Sequence, residues 1–67
     1  MNSPVKDKDF DLVSTLYHAL QGAELSQQYS KDAESNGDQA CQELFEDIAN
    51  RYEDMANNAK SILKERL

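Results

Sequence analysis

One break divides the chain. Turn chemistry concentrates at Ser35-Asn36-Gly37-Asp38, and on both sides of it the residues repeat with a helical period. Asn-Gly is a turn signal, Gly37 supplies the left-handed backbone that ends a helix, and Asp38 carries the short carboxylate that starts the next one. Upstream, Asp7, Asp9 and Asp11 put negative charge where a helix begins, with Pro4 at or just outside its first turn. Downstream, Asp38, Glu43, Glu46 and Asp47 do the same, and Lys60, Lys64 and Arg66 close the far end. The pattern predicts two helices, about residues 9–34 and 38–66, each roughly 40 Å long at 1.5 Å per residue. Equal lengths and a short loop predict an all-α fold, an antiparallel two-helix hairpin. Residues 1–67 are expected to form a single helical-hairpin domain, with 1–8 a loose N-terminal segment.

A hairpin of this size has a marginal core. A 67-residue chain buries only roughly 60% of the surface it exposes unfolded, and small scaffolds compensate with disulfides, a structural metal or self-association. One Cys and one His exclude an internal disulfide and a zinc module. Self-association remains.

The faces of the helices agree. At about 100° per residue, Cys41, Leu44, Phe45, Ile48, Tyr52, Met55, Ala56, Ala59, Ile62 and Leu63 share one face of the second helix, and its carboxylates fall outside that arc. In the first helix Phe10, Leu12, Val13, Leu16, Tyr17, Ala19, Leu20 and Ala23 share a face, with Glu24 and Gln27 inside the same arc. A second stripe, His18, Gly22, Leu25 and Tyr29, runs along its opposite side. One partner helix cannot cover both stripes. Two hairpins packed as a four-helix bundle bury the main faces, with Leu16, Leu20, Phe45, Ile48, Tyr52 and Met55 as the self-association core. His18, Leu25 and Tyr29 are then left for a second interface.

Individual side chains offer little chemistry of their own. Glu24 amid Leu20, Ala23 and Gln27 is a metal-ligand candidate, or else an edge residue reaching solvent or a polar partner. Tyr52 and Met55 read as core filling. Cys41, in the first turn of its helix, could have a lowered thiol pKa, but no second Cys or nearby His completes a redox or acyl-transfer arrangement. Glycine-rich phosphate loops, triad spacings and basic-aromatic interleaving are missing, so no enzymatic activity and no cofactor are expected. The net charge of −6 disfavours phosphate backbones and anionic lipid, which excludes nucleic acid and membranes as partners. With no apolar leader and no long apolar run, a cytoplasmic location is expected.

Several short runs resemble a family. Leu20-x-x-Ala23-Glu24, Tyr29, Asp32-Ala33-Glu34 and Gly37-Asp38 look like the first helix and turn of ferritin-like half-bundles, and Leu44-Phe45-x-x-Ile48-Ala49 is similar to the second helix of rubrerythrin-type members. The resemblance covers about Phe10 to Ala56. It implies a bundle whose metal is held by a Glu from one helix and a Glu-x-x-His pair from the next. Glu24 matches the first position, whereas the pair falls on Tyr52 and Met55, a poor donor set for iron. The chain is therefore expected to be a non-enzymatic, self-associating hairpin with a degenerate metal site, in a structural or partner-binding role. The alternatives are an iron-binding protein with Glu24 at a dimer interface, and a helical adaptor or chaperone for another protein.

Overall fold

A computed structural model of the protein describes residues 7–66, in which two helices, α1 (Asp7–Ser35) and α2 (Gln39–Arg66), run antiparallel. Helix α1 starts two residues earlier than the charge pattern predicts, and the rest of the expected loose segment, residues 1–6, lies outside the described residues. The turn follows from its local chemistry. Gly37 has φ of +69°, the Asp38 N–H donates to the Ala33 carbonyl at 2.9 Å and the Gly37 N–H to Glu34 at 3.0 Å. This is a Schellman ending, with the glycine in the left-handed region. Asp38 then serves the next helix, since its Oδ1 accepts from the Cys41 N–H at 3.1 Å and its carbonyl from the Gln42 N–H at 3.0 Å. One residue closes α1 and caps α2.

The seam between the helices is built from small residues. On α1 it runs Leu12, Leu16, Ala19, Ala23, Ser26, Ser30, Ala33, and on α2 Gln42, Phe45, Ala49, Tyr52, Ala56, Ala59, Leu63. Alternate steps of three and four keep each row facing its partner, as in a coiled coil. The buried apolar residues are Ala19, Ala23, Ala33, Ala49, Ala56, Ala59 and Leu63. Among the described residues no large side chain is fully buried. Short side chains let the helices approach closely, but a buried methyl contributes only about 0.8 kcal/mol, against about 1.5–3 for a buried Leu or Phe.

This corrects the expected division of faces. Phe10, Val13, Tyr17 and Leu20, assigned to the core side of α1, are 47%, 43%, 59% and 49% exposed. Leu44, Met55 and Ile62 of α2 stand outside the seam too, exposed in the single hairpin at 51%, 47% and 42%, which leaves untouched their assignment to a core shared by two hairpins. The physical reason is the Ala/Ser row: it lies between two arcs of larger side chains, and turning either arc inward would hold the helices apart. The helix pair measures 48 × 24 × 11 Å, a slab one helix thick, so among the described residues nothing covers its broad faces.

Candidate functional site

The two broad faces differ in chemistry. On one, α1 contributes His18, Gly22, Leu25 and Tyr29, and α2 contributes Leu44, Ile48, Met55 and Ile62, with Phe45 and Tyr52 at the seam. Three observations place these stripes on the same side. The Tyr52 ring lies over Gly22. Tyr29 meets Phe45 edge-on with ring centroids 5.5 Å apart. A groove of about 450 Å3 is lined by His18, Gly22, Leu25, Tyr52 and Met55, with Thr15, Ala19 and Gln21. Charged residues stand at its margins: Arg51, paired with Asp47 at 2.9 Å, and Asp11, which with Thr15 and Ile62 lines a hollow at the open end.

The other face is polar toward the turn. Gln27 Nε2 donates to Glu53 Oε1 at 3.1 Å, Ser30 Oγ bridges the Gln42 carbonyl at 3.3 Å and Glu46 Oε1 at 3.5 Å, and Gln42 Nε2 donates to Glu34 Oε2 at 3.4 Å. Toward the open end of the same face stand Val13, Tyr17 and Leu20, in helical register with Glu24 and Gln27 at steps of three, four and seven.

The residues singled out from sequence are thus regrouped. Phe45, Ile48, Tyr52 and Met55 come together, and they share their face with His18, Leu25 and Tyr29, for which the sequence pattern predicts a separate second interface. Leu16 is half-buried at the edge of the seam, and Leu20 points to the opposite face. Glu24 is exposed and also stands on that opposite face, on the far side of the hairpin from Met55. Leu44, Ile62 and Gly22 complete the apolar face. The Ala/Ser spacing of three and four was the signal that separates seam from face.

Few groups here are tuned for chemistry. Among the described residues no three His, Cys, Asp or Glu side chains are grouped to hold a metal ion, and no helix is long and apolar enough to cross a membrane. Cys41 sits at a helix N-terminus, where a thiol is usually made more acidic. Instead its pKa is raised, because its thiol is hydrogen-bonded to the Asp38 carboxylate and feels that negative charge. The same bond, with that from the Cys41 N–H, holds the Asp38 carboxyl below the ordinary range.

No protein-family model, curated protein or solved structure matches the chain, so the reading of the apolar face rests on its chemistry.

Proposed function

We propose that the chain is a non-enzymatic, self-associating helical hairpin whose apolar face is covered by a second copy in a four-helix, ferritin-like bundle, serving a structural or partner-binding role. The observation that carries this reading is the inverted use of side chains: alanines fill the seam while Leu25, Tyr29, Leu44, Met55 and Ile62 stay 42–51% exposed. Area gives the scale. The chain exposes 5289 Å2, whereas a compact monomer of 7.6 kDa exposes roughly 4,300 Å2. The excess, about 1,000 Å2, is close to the ~800 Å2 that each partner contributes to a standard interface. Charge agrees, because most of α2's carboxylates lie off this face and need no desolvation on docking.

Glu24 does not join such an interface, so an iron site there would need a different packing of copies. Native mass spectrometry of the chain, before and after adding Fe(II), separates the two. A metal-free dimer that ignores iron supports the self-associating hairpin. Iron bound per dimer and lost in Glu24→Ala would replace it with a metal-binding reading.

A further inference from the structure

The hairpin is uneven along its length, and this unevenness fixes how a second copy docks. Asp9 with Arg66, Gly22 with Tyr52, and Tyr29 with Phe45 meet across the seam. These pairs set Ile62 level with the region of Val13, and Leu44 level with the region of Lys31. The outward apolar residues of α2 run from Leu44 to Ile62, so their midpoint falls beside Tyr52 and Gly22. Charge divides at the same level. The turn half, residues 24–50, carries seven carboxylates and one lysine, a net of −6. The open half, residues 9–23 and 51–66, carries five carboxylates and four bases, a net of −1.

We propose that the second copy docks on the apolar face antiparallel to the first, turn over open end, about a two-fold axis that crosses the face at Gly22 and Tyr52. This rests on the self-association reading and adds its direction and centre. The apolar midpoint sets the axis, since a rotation there lays the apolar stretch on itself and brings Leu44 of one copy level with Ile62 of the other. Charge sets the direction. Docking with both turns at one end places two −6 halves about 10 Å apart, near one screening length at physiological salt. The antiparallel arrangement sets each −6 half against a −1 half. The groove lined by His18, Leu25 and Met55 lies at the level of the axis, so the rotation sets it against the same groove of the second copy.

The test is a distance between turns. Asn36 is exposed at the tip, and Asn36→Cys in a Cys41→Ser chain gives one labelling site for a nitroxide. Asn36 lies fourteen residues from Gly22, so antiparallel copies separate the labels by about 42 Å along the bundle. Same-end copies bring them to roughly 10–20 Å, one or two helix diameters. Pulsed dipolar spectroscopy reads this directly, with the mass of the labelled chain measured in the same buffer. A dimer with the long distance, lost in Met55→Glu and kept in Leu20→Glu, is the expected result. A dimer with the short distance overturns the direction, and a dimer that survives Met55→Glu overturns the face. A chain of monomer mass in both labelled and unlabelled forms overturns the self-association reading itself.

Discussion

The ring of Tyr52 rests on the backbone of Gly22 so closely that a Cβ on that glycine would lie 2.7 Å from the ring Cε1 and Cζ atoms. This contact joins the helices at the middle of the apolar face. Gly22 is here a packing residue, since a helix interior otherwise favours Ala over Gly by about 1 kcal/mol. Gly22→Ala is therefore expected to be neutral or destabilising, and to stabilise by about 1 kcal/mol once Tyr52→Ala has removed the ring. Urea titrations of the four chains at one protein concentration measure this coupling. Additive effects would show that the ring does not rest on Gly22.

The alanine seam makes a second prediction. Ala56 is 2% exposed and faces the small residues of α1. Ala56→Leu adds apolar volume where none fits and forces the helices apart, at a cost of about 1–3 kcal/mol. Thermal unfolding at fixed concentration checks the sign. A higher melting temperature would mean that the seam has room and that the helices are not held close by small residues.

The turn was legible in the sequence because its chemistry is local. Asn36, Gly37 and Asp38 act on backbone groups within five residues of themselves, and the cap expected of Asp38 is formed. The apolar arc of α2 was legible because its carboxylates lie elsewhere, but its division into a buried row of Ala56, Ala59 and Leu63 and an exposed row of Leu44, Met55 and Ile62 was not. Helix α1 was not. Phe10, Val13, Tyr17 and Leu20 outweigh Ala19, Ala23, Ser26, Ser30 and Ala33 in any reading that ranks apolar residues by size, yet the smaller row makes the closer contact. That error also placed Glu24 and Met55 on a common interior, whereas the fold puts them on opposite faces.

Asp38 links the turn to pH. Its carboxyl titrates below the ordinary range in the folded chain, because Cys41 donates to it. The unfolded state then binds a proton first as pH falls. The contribution of this group is present above about pH 4, the unfolded value, and is lost as pH drops through the lower folded value. Asp38→Asn keeps a capping side chain and removes this part of the acid dependence, while Asp38→Ala loses the cap and lowers the melting temperature at neutral pH as well. Equal melting of all three chains at pH 7 and pH 3 would show that Asp38 does not hold the turn.

The same carboxylate governs the thiol. With its pKa raised by Asp38, Cys41 presents less thiolate at neutral pH and reacts slowly with disulfide reagents. Asp38→Asn is expected to speed that reaction, with the difference shrinking as pH rises and both thiols ionise. A rate unchanged by the substitution would detach Cys41 from the cap.

Everything proposed for this protein depends on the apolar face being covered by another copy. Sedimentation equilibrium over a concentration series, on the unmodified chain and on Met55→Glu, measures that directly. The unmodified chain is expected at twice its 7.6 kDa mass, with the Met55→Glu chain falling toward a single copy. A stable, cooperatively folded chain of 7.6 kDa at every concentration would contradict self-association through this face.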